Sequence, residues 1–271
     1  MIPNTVRHAS AAFACLVFAS WAAAGEAPAS SPPTGPKQTF HIYLLIGQSN
    51  MAGRGQVAAE DKTVHPRVFM FNRARQWAPA ANPLHFDKPA AGVGPGLAFG
   101  KAMADRDPSV RIGLVPCAVG GTSISKWMPG AKDDATGTHP YDDAIARARA
   151  AVEDGVLRGI IWHQGEGDSS AQSAPLYGER LAAFIERLRK DLGAPDVLFV
   201  AAGLGDFVVS RNAEAGVVNQ AMERLAGRVK NYAFVNSTGL KDKGDRLHFD
   251  AASARELGRR YADAMARLTK P

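Results

Sequence analysis

The sequence predicts an α/β fold: a mainly parallel sheet covered by helices on both faces. Three observations carry that reading. Short apolar runs of strand length alternate along the chain with stretches of helical period, the pattern that builds a parallel sheet between two helical layers. The runs are rich in β-branched and aromatic residues and lack polar alternation, as strands buried on both faces do. Glycine-rich polar stretches follow several of them directly, and in such sheets ligands bind at the carboxyl ends of the strands.

The elements can be justified in order. Residues 1–24 stand apart: a weakly basic start at Arg7 and His8 precedes the apolar run ASAAFACLVFASWAAA. Its small-residue end at Ala22-Ala23-Ala24 fits a secretory signal peptide cleaved near Ala24. The run is too short and alanine-rich for a membrane span, so an exported, periplasmic or extracellular protein is expected. Residues 25–39, containing EAPASSPPTGPKQ, read as a disordered linker. A single domain then fills 40–271.

Strands are expected at 41–46, 68–71, 111–115, 159–163, 196–201 and 232–235. Helices fall between and after them. One is expected from Leu97 to Ala104. A second, over 141–153, carries Ile145, Ala148 and Val152, with Asp142 and Asp143 at its N-terminal end. In 176–192, Tyr177, Leu181, Phe184, Ile185 and Leu188 recur at helical spacing and Gly193 closes the segment. Two more are expected over 214–226 and 253–268.

Composition narrows the function classes. With 46% hydrophobic and 21% charged residues, the 271-residue chain has the balance of an ordinary globular protein. The net charge of +6 is spread over helices, with no aromatic-interleaved basic patch, so no nucleic-acid partner is expected. If Cys15 leaves with the signal peptide, Cys117 is the sole cysteine; it reads as a small buried side chain. No histidine pair has metal-ligand spacing on a helix, and GVGPGLAFG lacks the strand and lysine of a nucleotide-binding loop. No metal or cofactor is expected.

Chemistry concentrates at four places: Gly47-Gln48-Ser49-Asn50 after the first strand, CAVGGTSISKW after 111–115, QGEGDSS after 159–163, and KGDRLHFDAAS before the last helix. Together they supply an acyl-transfer site. A serine needs a base, which suits His248, and the imidazole needs an acceptor to fix its tautomer, which suits Asp245. The oxyanion needs preorganised donors; the Ser49 N–H, the Gly120 N–H and the Gln164 amide are the candidates. Each part alone has a plainer reading: Ser49 as a turn residue, His163 and Trp162 as core, Gln164 as a partner of backbone groups, Asp168 as a cap. The tetrapeptide LHFD occurs at both 84–87 and 247–250. Only the second has an aspartate three residues ahead of its histidine, so His85 is expected to be a loop or substrate-facing residue, and Asp87 and Asp250 turn or cap residues.

Through GQSNMAGRG, GPGLAFGKAMA, IGLVPCAVGGTSISKW, WHQGEGD and DRLHFDAAS, the chain resembles the SGNH (GDSL-like) hydrolases. Within them it looks most like the branch of sialate O-acetylesterases and carbohydrate esterase family 6 acetylxylan esterases, over about residues 40–268. The resemblance implies a three-layer α/β/α sandwich and metal-free removal of O-acetyl groups from carbohydrates. It matches Ser49 to the nucleophile, His248 to the base, Asp245 to the Asp-x-x-His carboxylate and Gly120 to the oxyanion glycine, with Gln164 near the third oxyanion position. Some esterases of this branch use the glutamate of HQGE as the acid, so Glu166 is an alternative or additional acid. Asn50 and Trp127, with Trp77 and the 128–140 loop, are the candidate sugar contacts; partly buried packing aromatics are the competing reading. Two other functions stay open: a broad-specificity esterase or lysophospholipase, and a catalytically silent carbohydrate-binding relative.

Overall fold

The computed structural model describes Met1 and residues 34–269. The expected signal peptide lies outside the described residues, Met1 apart, as does the linker up to residue 33. At the linker's end, Lys37–Thr39 forms a 3-10 turn. It is held by Arg111, which donates to Thr34 O, Pro36 O and Thr39 Oγ1.

Seven strands make one sheet: β1 (Phe40–Gly47), β2 (Val68–Phe71), β3 (Trp77–Pro79), β4 (Arg111–Pro116), β5 (Val156–His163), β6 (Leu198–Ala202) and β7 (Tyr232–Val235). Their order is β3-β2-β4-β1-β5-β6-β7. All neighbours are parallel except β2 and β3. The six expected strands are present. The seventh, β3, is a three-residue edge ending at Pro79, too short to carry a periodic signal. Proline is tolerated there because an edge strand can forgo a ladder donor.

Burial on both faces follows from the period of two. Along β1, Phe40, Ile42, Leu44 and Ile46 face one core, and Tyr43 and Leu45 face the other. The first core is closed by α3 (Pro140–Ala151), α4 (Tyr177–Asp191) and α6 (Ala213–Arg224). The second is closed by α2 (Pro95–Arg106) and α7 (Ala251–Leu268). These two helices lie so close that a Cβ on Gly258 would stand 2.3 Å from Pro95 O. The five expected helices are present. Two single-turn helices, α1 (Ser49–Ala52) and α5 (Asp206–Val209), were not foreseen. Asp250 caps α7, accepting from the Ser253 N–H at 2.7 Å, as its place before that helix predicts. No helix of the described residues is long and apolar enough to cross a membrane.

Candidate active site

The chain turns sharply where the central strand ends. Gly47 has φ +129°, a conformation open to glycine. A Cβ there would stand 2.1 Å from the His163 carbonyl oxygen. That oxygen instead accepts from the Gln48 N–H at 2.8 Å. The turn places Ser49 at the first position of α1. Its N–H therefore has no intrahelical acceptor.

The partner of Ser49 arrives from the far end of the chain. The segment before α7 folds back on itself, with the Lys243 N–H on His248 O at 2.9 Å and the Asp250 N–H on Lys241 O at 3.0 Å. Arg246 turns the corner at φ +55°. Asp245 Oδ1 accepts from the N–H groups of Leu247 (3.0 Å) and His248 (2.8 Å). Asp245 Oδ2 lies 2.7 Å from His248 Nδ1, and His248 Nε2 lies 3.0 Å from Ser49 Oγ. Partial burial raises the Asp245 pKa, but the hydrogen bonds from the His248 backbone and ring and from Leu247 outweigh it. They hold the carboxyl well below the usual range. An ionised Asp245 fixes the proton on Nδ1 and leaves Nε2 as the acceptor facing the hydroxyl. This arrangement can deprotonate a serine.

Asn50 and Glu166 sit beneath that pair. Asn50 is buried. Its Nδ2 donates to Leu247 O at 3.0 Å and to Glu166 Oε1 at 2.5 Å, and its Oδ1 accepts from the Phe249 N–H at 3.0 Å. It thus clasps the backbone on both sides of His248. The expectation of a sugar contact is corrected: both ends of its amide are spent on the histidine loop. Glu166 meets Asn50, whereas the imidazole meets Asp245. The second Glu166 oxygen is buried without a partner. Burial raises its pKa, opposed by its hydrogen bonds and by His248. A carboxyl raised in the fold keeps its full contribution below the unfolded pKa and loses stability as pH rises through the folded one. Glu166→Gln is therefore expected to gain stability relative to the wild type as pH rises above the ordinary glutamate range of about 4, read as the difference in urea midpoint at each pH.

Two expected oxyanion donors are engaged elsewhere. The Gly120 N–H donates to Asp87 Oδ2 at 2.8 Å. Asp87, expected to be a turn residue, is fixed by a buried ion pair with Arg54 at 2.7 Å. Arg54 also holds Gly53 O at 2.7 Å. The Gln164 amide is fully buried, with Nε2 on Thr122 O (3.0 Å), Asp168 Oδ2 (2.7 Å) and Gln48 Oε1 (3.2 Å). Its Oε1 accepts from Tyr177 OH at 2.9 Å. Asp168 also accepts from the Ile124 N–H at 2.7 Å, so it braces the loop after β4 rather than capping a helix. The Ser49 N–H remains, with no acceptor among the described residues. The side chain of the preceding residue, Gln48, is turned away toward the loop after β5, its Oε1 accepting from Gln164 Nε2 at 3.2 Å and from the Gly167 N–H at 3.4 Å.

The aromatic candidates are core. Trp127 is fully buried, edge-on to Trp162 with centroids 5.3 Å apart, and its Nε1 donates to Thr122 Oγ1 at 3.1 Å. Trp77 is buried against Phe40 and Phe71 and donates to Asp154 Oδ2 at 2.8 Å. Neither ring is open to a sugar. Trp127→Ala is expected to cost about 3–5 kcal/mol of stability, while Trp127→Phe leaves KM for a sugar acetate unchanged; chemical denaturation and steady-state kinetics check the two halves. His163 is buried edge-on to Phe249, and burial lowers its pKa to about 4. It is core, as expected, although neither ring nitrogen has a hydrogen-bond partner among the described residues. No cluster of three or more His, Cys, Asp or Glu among the described residues is arranged to hold a metal ion.

Comparisons with known proteins give the chain's family. The family model described as SASA, carbohydrate esterase, sialic acid-specific acetylesterase, matches residues 39–267. The chain is 32% identical to the probable carbohydrate esterase At4g34215 of Arabidopsis thaliana, over 88% of this chain and 94% of that one. The X-ray structure of that protein superposes with a TM-score of 0.74 at 30% identity, covering 84% of this chain and 98% of the other. The fold also matches NanS, with a TM-score of 0.70 at 17% identity over 87% of this chain and 98% of that one. XAC1771, a carbohydrate acetylesterase from Xanthomonas citri, matches with a TM-score of 0.63 at 21% identity, over 84% of this chain and 56% of that one. A Ser-His-Asp array at the carboxyl ends of a seven-stranded sheet and a match along nearly the whole described chain lead to one conclusion: this protein belongs to the SASA family of carbohydrate esterases.

Proposed function

We propose that the protein removes O-acetyl groups from carbohydrates through an acetyl-serine intermediate formed on Ser49. The observation that carries this reading is the chain of contacts Asp245–His248–Ser49, at 2.7 and 3.0 Å. His248 Nε2 takes the Ser49 proton as Oγ attacks the acetyl carbonyl. The oxyanion forms beside the Ser49 N–H. The bond to the sugar oxygen then breaks, and His248 returns the proton to it. Water, deprotonated by the same imidazole, attacks the acetyl-enzyme and releases acetate and Ser49. Asp245 is the triad acid in this reading. Glu166 and Asn50 position the histidine loop.

The test is to quench the enzyme with acid during turnover of 4-nitrophenyl acetate and map the modified peptide. An acetyl group on Ser49 is expected. Turnover with acetyl found only on another residue, or on none, would overturn the covalent route. Acetylated xylan fragments and O-acetyl sialates are the substrates to compare next. The apolar run ending at Ala22-Ala23-Ala24 supports export with removal of residues 1–24. The mature N-terminus of the protein recovered outside the cytoplasm is the check.

A further inference from the structure

The LHFD tetrapeptide at 84–87 holds no catalytic base, yet it grips the loop beside the nucleophile. Beyond β4 the N–H groups of the chain go alternately to two sides. Those of Cys117 and Val119 donate to Leu45 O and Gly47 O of β1, both at 2.9 Å. The other side is the one that β2 covers further back, but its pairing with β4 stops at Met70 and Leu114. Two side chains take the place of the missing strand. His85 Nδ1 accepts from the Ala118 N–H at 3.2 Å, and Asp87 Oδ2 accepts from the Gly120 N–H at 2.8 Å. The following residue, Lys88, donates from Nζ to Gly120 O at 2.7 Å. Gly120 is thus held by both of its polar backbone groups.

The holders are themselves fixed. His85 is buried. That burial, with Arg54 and Arg147 nearby, lowers its pKa to about 3 against the pull of Asp87. The ring is therefore neutral at neutral pH, and Nδ1 keeps its lone pair for Ala118. The Asp87 side chain is 1% exposed and paired with Arg54 at 2.7 Å. The bond from Lys88 is charge-assisted, and such bonds are about twice as strong as neutral ones.

What they hold stands against the nucleophile. A Cβ on Gly120 would be 2.4 Å from Arg54 Nη2, 2.9 Å from Asp87 Oδ2 and 3.4 Å from Ser49 Cβ. The ion pair, the loop and Ser49 meet across a space that would not take one methyl group. Among the described residues neither Asp87 nor Lys88 bonds to Ser49, His248 or Asp245; their polar contacts are Arg54 and Gly120.

We propose that Asp87 and Lys88 are positioning residues for the reaction. They clamp Gly120 by its N–H and its carbonyl, and so fix the wall that this glycine presents to Ser49 while the tetrahedral intermediate forms. The proposal rests on the acetylesterase reading above. A displacement of about 1 Å near a reacting centre can cost on the order of a hundredfold in rate, which is what the clamp prevents.

Lys88 is the residue to change. It is half-buried, whereas Asp87→Asn would leave Arg54 buried without its counter-ion and unsettle the fold. The test compares wild type, Lys88→Met and Lys88→Arg on 4-nitrophenyl acetate, with amide hydrogen exchange followed by NMR. Lys88→Met is expected to lower kcat by about tenfold to a hundredfold, with KM and the denaturation midpoint at their wild-type values. Exchange at the Gly120 amide should quicken by about tenfold or more, while Val119, held from the β1 side, keeps its rate. Lys88→Arg retains a cationic donor and should recover most of the kcat. A merely structural lysine would move the midpoint and spare kcat. Unchanged kcat in Lys88→Met, a loss carried by KM alone, a loss that Lys88→Arg does not recover, or a loss with unchanged exchange at Gly120 would each overturn the clamp. If the wild type turns over no acetate, the esterase reading falls alone. Exchange then judges the clamp by itself: faster exchange at Gly120 in Lys88→Met supports it, and an unchanged rate overturns it.

Discussion

Ser49→Ala is expected to lower turnover of 4-nitrophenyl acetate on the order of 10⁶-fold, the scale seen when the nucleophile of a serine triad is removed. The structure makes this a clean substitution. Among the described residues Ser49 Oγ has one hydrogen bond, to His248 Nε2 at 3.0 Å. The backbone turn is set by Gly47 and the Gln48 N–H, not by the serine side chain. The variant should keep the wild-type denaturation midpoint while activity disappears. Turnover that survives in a well-folded Ser49→Ala would mean that Ser49 is a turn residue and the chemistry lies elsewhere.

The second large effect separates the two carboxylates. Asp245→Asn is expected to lower kcat by about 10⁴-fold, because an amide in that place favours the wrong imidazole tautomer. Glu166→Gln should fall far less. Its oxygen reaches the histidine loop through Asn50 at 2.5 Å, and glutamine retains an acceptor for that bond. The loss in Glu166→Gln should recover as temperature is lowered if it comes from a looser loop, whereas the loss in Asp245→Asn should not. Equal loss in both variants would make the two acids a shared unit, and a larger loss in Glu166→Gln would reverse the assignment.

The fold was largely legible in the residues because its strands are buried on both faces and its helices are strongly periodic. What escaped notice was short: β3 and the single-turn helices α1 and α5 have too few residues for any period to register. The Asp245, His248 and Ser49 contacts were legible because Asp-x-x-His is a local arrangement and strand ends converge in a parallel sheet. Of the three expected oxyanion donors, only the Ser49 N–H is left free among the described residues. Gly120 and Gln164 stand in the right loops, but where their N–H groups point depends on Asp87 and Asp168, remote residues that supply the acceptors. Trp127 failed as a sugar contact because a tryptophan in a loop gives no sign of whether the loop folds over it. The signal for Asn50 was present, next to the nucleophile, but its partners Leu247 and Phe249 lie about 200 residues away and become visible only in three dimensions.

That separation has a consequence for how the enzyme comes into being. Ser49 sits just beyond the end of the strand at the centre of the sheet, while the imaginary line that completes the array to His248 spans 199 residues. Contacts so remote in sequence form late and carry a heavy loop-closure cost. During synthesis every strand can be present while the serine is still without a base. Catalytic competence therefore arrives all at once, with the docking of the last helix against Pro95. A chain interrupted before that point would be folded in much of its sheet yet inert, so hydrolysis is a stricter gauge of chain integrity than any spectroscopic measure of secondary structure.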